Sequence, residues 1–124
     1  ERDVAAVGAA PVLLAGEQRL CTALVRRWPG RVFAKNGAEG VYVMCLAPDR
    51  SRARFPGAVG VAVKVDDGAE RGYQPVVVDL LRWMGAFAAD AVPAPLQRFW
   101  QMPIGNTLKQ QVGEVRCAVE WRMR

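Results

Sequence analysis

Two short lysine-centred segments hold the residue types through which this chain could do chemistry. The first is Ala34-Lys35-Asn36-Gly37-Ala38-Glu39-Gly40. Lys35 ends an apolar run, and Asn36 and two close glycines follow it. A lysine there sets an ammonium beside a substrate or a nucleophile without a long loop. The glycines let a ligand approach main-chain N–H groups, which would line an oxyanion or carboxylate site. The bland alternative is a tight turn between two strands with Lys35 in water. The second segment is Lys64-Val65-Asp66-Asp67-Gly68-Ala69. Asp-Asp-Gly reads as a turn whose side-chain oxygens bond local N–H groups. Paired carboxylates also serve acid–base work or bind a divalent cation, and such a site would draw on Lys64 and Asp66. No further oxygen cluster at regular steps completes a coordination shell.

The missing residue types narrow the chemistry. The chain has no His, which removes histidine bases, His-based zinc sites and Ser-His-Asp triads from within it. Ser51 is the single serine, and Thr22 and Thr107 are the only threonines. Cys21, Cys45 and Cys117 form no CxxC pair, so no metal site is expected, and their odd number predicts free thiols and a cytoplasmic setting. No Walker phosphate loop or dinucleotide fingerprint is present, and no cofactor is expected in this chain.

The net charge is +5, with fourteen arginines against three lysines. The only tight basic cluster, Arg50, Arg52 and Arg54, is broken by Pro48 and Pro56. It reads as a solvated loop, with a phosphate contact as the alternative. The four tryptophans fit core stripes better than an exposed stacking platform, so a nucleic-acid partner is not expected. No apolar run approaches the roughly 20 residues that span a bilayer. Glu1 and Asp3 stand where a basic leader segment would be, so neither a membrane nor a secretory signal is expected.

These segments need elements to position them. The 124 residues allow one domain or part of a larger one. Residues 1–15, with Gly8, Pro11 and no clear period, read as a strand or loop entering a larger structure. Over residues 17–28, Cys21, Leu24, Val25 and Trp28 form one helical stripe, which makes Cys21 a core thiol, and Pro29-Gly30 stops the helix. Three strands follow. Residues 31–36 are short. Residues 40–46 are almost wholly apolar and so central or covered on both faces. Residues 58–66 carry Val59, Val61, Val63 and Val65 on one face and Gly60, Ala62 and Lys64 on the other. The small side chains of that second face suggest a helix or backbone pressed close. The short connections favour an antiparallel meander.

Residues 73–88 form a helix with Val76, Val77, Leu80, Leu81, Met84 and Phe87 at a 3.6 period. Residues 90–95 are a Pro-rich linker, and residues 95–101 a short helix with Leu96, Phe99 and Trp100 inward. Residues 114–122 alternate as a last strand, with Val115, Cys117, Val119 and Trp121 buried. On its wet face Glu114 and Arg116 are expected to pair or to approach a ligand edge. The predicted class is α+β, an antiparallel sheet with helices on one side.

A resemblance to a known family joins these fragments. Leu14-Ala15-Gly16-Glu17-Gln18-Arg19, Thr22-Ala23-Leu24 and Pro29-Gly30-Arg31 lead into Lys35-Asn36-Gly37-Ala38-Glu39-Gly40-Val41. The match continues through Gly60-Val61-Ala62-Val63-Lys64-Val65-Asp66-Asp67-Gly68-Ala69 and Val112-Gly113-Glu114-Val115-Arg116. Together they resemble the C-terminal part of the bacterial type II-like (rhizobial-type) L-asparaginases. The resemblance implies hydrolysis of L-asparagine to L-aspartate and ammonia on a fold similar to serine β-lactamases and serine-dependent glutaminases. It implies a Ser-x-x-Lys nucleophile and a Cys/Lys metal site, both upstream. Neither maps here, since Arg54 stands three residues after Ser51.

By similarity, Lys35 matches the lysine of the Lys-Thr-Gly-type strand and is the first choice as catalytic lysine, with Lys64 second. Gly37 and Ala38 would offer oxyanion N–H groups. Asn36 and Glu39 would touch the amino-acid substrate, Glu39 at its α-ammonium, and Asp66 would contribute nearby. The expectation is a C-terminal portion, inactive alone and completed by an N-terminal portion. The alternative is a non-catalytic binding or assembly module of the same fold, in which a dimer replaces the missing half.

Overall fold

The computed structural model describes residues 2–52 and 54–123; Glu1, Ala53 and Arg124 lie outside it. In chain order the elements are α1 (Arg2–Ala9), α2 (Pro11–Ala15), α3 (Leu20–Arg27), β1 (Val32–Asn36), β2 (Val41–Leu46), β3 (Val59–Lys64), α4 (Glu70–Met84), α5 (Ala94–Trp100), β4 (Gln101–Gly105) and β5 (Gln111–Arg116). The class is α+β, with antiparallel sheets and helices packed against them.

β1, β2 and β3 form the expected meander in the order β1-β2-β3, antiparallel throughout. Side chains alternate across a strand, so the register sorts them into two faces. The inner rows are Val32–Leu46–Val59, Ala34–Met44–Val61 and Asn36–Tyr42–Val63. They meet Leu20 and Leu24 of α3, Tyr73, Val77, Val78, Leu81 and Met84 of α4, and Leu96 and Phe99 of α5 in one core. The outer rows are Phe33–Cys45–Gly60, Lys35–Val43–Ala62 and Val41–Lys64. Helices therefore cover the inner face, as the residue pattern predicts.

Several expectations are corrected. β2 is central but not covered on both faces: Val43 is 39% exposed and Cys45 is exposed. Nothing among the described residues lies within 4 Å of a Cβ built at Gly60, and Ala62 is exposed. The small-chained face of β3 is thus open where a covering element was expected. Residues 2–15, read as a strand or loop, instead carry two short helices, with Pro11 at the first turn of α2, where its missing N–H costs nothing.

The C-terminal strand is shorter than the alternation suggests. β5 stops at Arg116 and pairs with β4 in a separate two-stranded sheet. Residues 117–123 run irregularly along α4, where Trp121 donates its indole N–H to Asp79 at 2.8 Å. Glu114 and Arg116 lie 3.7 Å apart as an ion pair. Arg52 corrects the reading of its cluster. It is buried, and its guanidinium donates to the carbonyls of Phe55 and Ala47 at 2.8 Å each, so it organises the loop between β2 and β3. Arg54 donates to the Trp83 carbonyl at 2.6 Å and lies over that indole.

Candidate functional site

The two lysine-centred segments, residues 34–40 and 64–69, meet at one end of the main sheet. The turn of residues 37–40 joins β1 to β2, and residues 65–69 join β3 to α4. Val65 donates its N–H to the Gly40 carbonyl at 3.1 Å. Gly40 is left-handed, with φ +70°, and a Cβ there would lie 2.9 Å from the Val65 Cβ and 3.0 Å from the Gly68 backbone. Gly68, at φ +74°, would place a Cβ 3.3 Å from the Glu39 Cα. The glycines of the two segments thus explain each other, because only bare backbone fits where the turns cross. The Lys64 ammonium spans the same junction, donating to the Glu39 carbonyl at 2.8 Å and the Val65 carbonyl at 2.6 Å. Asp67 accepts from the Ala69 N–H at 2.9 Å, as the turn reading requires.

The alternation of β1 separates residues that the sequence reading grouped. Lys35 and Lys64 share the open outer face, on strands about 10 Å apart across β2. The Lys35 ammonium is exposed and donates to its neighbour's carbonyl, that of Asn36, at 3.1 Å. Asn36 belongs to the inner rows, and its side-chain oxygen faces the Cys21 thiol at 3.8 Å. Glu39 is exposed and holds a left-handed conformation, φ +55°, uncommon for a residue with a side chain. Gly37 donates its N–H to the Val41 carbonyl at 2.8 Å, so it is not free to face an oxyanion. The Ala38 N–H has no such acceptor among the described residues. Asp66 is exposed in the second turn.

Behind Asn36 lies a buried polar cluster that the sequence reading missed. Tyr42 stacks on Tyr73 at 4.8 Å. Its hydroxyl sits beside the Cys21 thiol with no hydrogen-bond partner among the described residues. Burial pushes the Cys21 thiol and the Tyr42 phenol up from their ordinary values. Burial, helped by the nearby Glu70 carboxylate, takes Tyr73 to about 12. Only the register of Asn36 opposite Tyr42 carries a signal for this cluster, and that requires knowing the strand pairing.

The hydroxyls are placed elsewhere. The Thr22 hydroxyl donates to the Gly16 carbonyl at 2.6 Å. The Ser51 hydroxyl donates to Asp49 at 2.7 Å, in the loop at the opposite end of the sheet from Lys35. A five-residue strand covers about 16 Å, so Ser51 does not reach the lysines. Thr107 is exposed in the β4–β5 turn. Among the described residues no group of three or more Cys, Asp or Glu is placed to hold a metal ion. No described helix is long and apolar enough to cross a membrane. A cavity of about 500 Å³ lies away from the lysines, between α3 and α5, lined in part by Arg26, Arg27 and Arg98.

No curated protein matches the chain. The L-asparaginase II family matches residues 1–117, a span that takes in both lysine segments, the open sheet face above them and the β4–β5 hairpin. The chain belongs to the L-asparaginase II family.

Proposed function

We propose that this chain is the C-terminal portion of an L-asparaginase-like amidohydrolase, a single folded unit within a serine β-lactamase-like domain. It would act in the cytoplasm, hydrolysing L-asparagine to L-aspartate and ammonia when joined to the portion that carries Ser-x-x-Lys. The observation that carries this reading is the position of Lys35. It stands exposed on the outer sheet face, along a row that no helix covers among the described residues, where an upstream portion can bring a hydroxyl against it.

The chemistry follows from that placement. The upstream serine oxygen attacks the side-chain amide carbon. The Lys35 ammonium stabilises the developing charge and assists proton transfer around the serine. The Ala38 N–H, with the turn around Gly37 shaping the approach, is the main-chain donor for the tetrahedral oxyanion. The C–N bond then breaks, ammonia leaves with the serine proton, and water hydrolyses the resulting ester to aspartate. Glu39 receives the substrate's α-ammonium, with Asp66 beside it in the second turn. Asn36 acts from behind the strand by fixing its end. Lys64 ranks second as the reacting lysine.

The test is ammonia release from L-asparagine. The purified chain alone is expected to release none. Mixing it with the Ser-x-x-Lys portion is expected to restore turnover, and Lys35→Met is expected to abolish the restored activity. Turnover that tracks this polypeptide alone through repurification overturns the proposal, as does full restoration by the Lys35→Met chain. The second reading, a non-catalytic binding or assembly module, is favoured by the Gly37 N–H being already paired with Val41. It predicts association with no turnover.

A further inference from the structure

Lys35 and Lys64 are held in different ways, and the difference separates two roles at one site. Among the described residues the Lys35 ammonium bonds only the carbonyl of the next residue. The Lys64 ammonium bonds carbonyls on two separate turns, Glu39 and Val65. An ammonium has three protons to donate, so two of them are engaged at this junction. The Glu39 carbonyl accepts no backbone N–H among the described residues, and Lys64 fills that place. Glu39 itself has a left-handed backbone, a conformation that persists only where surroundings impose it. Gly68 packs under its Cα and Val65 bonds its neighbour Gly40, so the same crossing that Lys64 closes is what holds Glu39 there.

We propose that Lys64 is a positioning residue: its side chain clasps the turn of residues 37–40 to the turn of residues 65–69 and fixes Glu39 to receive the α-ammonium of an amino-acid substrate. This rests on the asparaginase reading for the substrate, while the clasp itself stands on the geometry alone. It removes Lys64 from competition with Lys35. A side chain tethered to two carbonyls on the chain's own turns is a strut, whereas the Lys35 ammonium bonds no second element among the described residues. It also explains why the two lysine segments occur together: the second lysine is the fastening of the first segment's turn.

The experiment has an arm that needs no activity. With only three lysines, ¹⁵N-lysine labelling gives three side-chain signals. The Lys64 ammonium is expected to exchange with water more slowly than those of Lys35 and Lys109. Backbone amide shifts of Lys64→Met and Lys64→Arg are then compared with the parent. Lys64→Met is expected to move the Glu39, Gly40 and Val65 amides, and Lys64→Arg to restore them at least in part. In the second arm the chain is joined to the Ser-x-x-Lys portion. Lys64→Met is expected to raise KM for L-asparagine about tenfold with kcat little changed, and Lys64→Arg to recover KM. Equal exchange at all three lysines overturns the clasp, and so do unmoved turn amides. A collapse of kcat with KM unchanged makes Lys64 a reacting group and overturns the positioning role. If the parent assembly turns over no L-asparagine, the asparaginase reading fails, and the amide and exchange arm still decides the clasp.

Discussion

A methyl group added at Gly40 has nowhere to go. Its Cβ would sit 2.9 Å from a branched side-chain carbon and 3.0 Å from backbone, on a residue at φ +70°. Gly40→Ala is therefore expected to destabilise the chain by about 2 kcal/mol or more, from the left-handed strain together with the displaced turn. Gly60 provides the matched contrast. It has ordinary strand geometry and open space on its outer side, so Gly60→Ala is expected to be neutral or to stabilise by up to about 1 kcal/mol. Urea denaturation of the two variants checks both signs. The turn character of both lysine segments was legible from Asn, Asp and Gly alone. That they cross was not, because the contact joins residues that only the β1–β2–β3 pairing brings together. The separation of Lys35 from Asn36 was implicit in strand alternation, which sends neighbours to opposite faces. Grouping them by sequence proximity obscured it. Arg52 was illegible for a related reason: its three-residue neighbourhood looks like a solvated charge run, and its acceptors are carbonyls, which sequence does not mark.

At the scale of elements, α4 and the C-terminal segment are tied through one carboxylate. Asp79 is 7% exposed and accepts from the Trp121 indole at 2.8 Å, the Arg82 guanidinium at 2.9 Å and, more distantly, the Trp100 indole at 3.4 Å. Burial by itself raises such a carboxyl, but the bonds from Trp121 and Arg82, the Arg82 charge and Trp100 outweigh it, and the net shift is downward. A carboxyl with a lowered folded value contributes stability at neutral pH that disappears as pH falls from the unfolded value, about 3.9, through the folded one. Acid should therefore release residues 117–123 below about pH 4. Asp79→Asn, which keeps the shape and loses the charge, is expected to cost about 2 kcal/mol at pH 7 and to flatten the stability profile below pH 4. Tryptophan fluorescence during acid titration reads the outcome, and a variant profile parallel to the parent's would refute the assignment. The helices α3, α4 and α5 and the three-strand meander were legible because their apolar periods are clean. The C-terminal alternation misled because Trp121 reaches α4 through a polar bond rather than through sheet pairing. The first 15 residues misled because Ala-rich sequence with Gly8 and Pro11 shows no stripe, and α1 and α2 are each only a turn or two long.

For the whole molecule, what matters most is the asymmetry of the main sheet. Its inner rows pack against the core of α3, α4 and α5, while the Lys35–Val43–Ala62 and Val41–Lys64 rows face outward. α1 meets the far end of that face, where Ala5, Phe33 and Cys45 line a cavity of about 460 Å³. Small side chains at Gly60 and Ala62 carry no benefit on a strand face turned to water, where larger β-formers suit better. They fit a face meant to be approached closely by another layer, which the proposed upstream portion would supply. Ala62→Gln discriminates between the two situations. In the chain alone the substitution lies on an open surface and is expected to change stability by no more than about 0.5 kcal/mol. In the complete assembly the same side chain would enter a packed interface and cost about 1–3 kcal/mol. Thermal melts of both forms, with and without the substitution, measure the difference directly. A larger penalty in the assembly places the second layer over β3 and brings its hydroxyl toward the Lys35 row. Equal small effects in both would leave the face bare in the proposed assembly, and the proposed nucleophile would then have to approach Lys35 from the edge of β1.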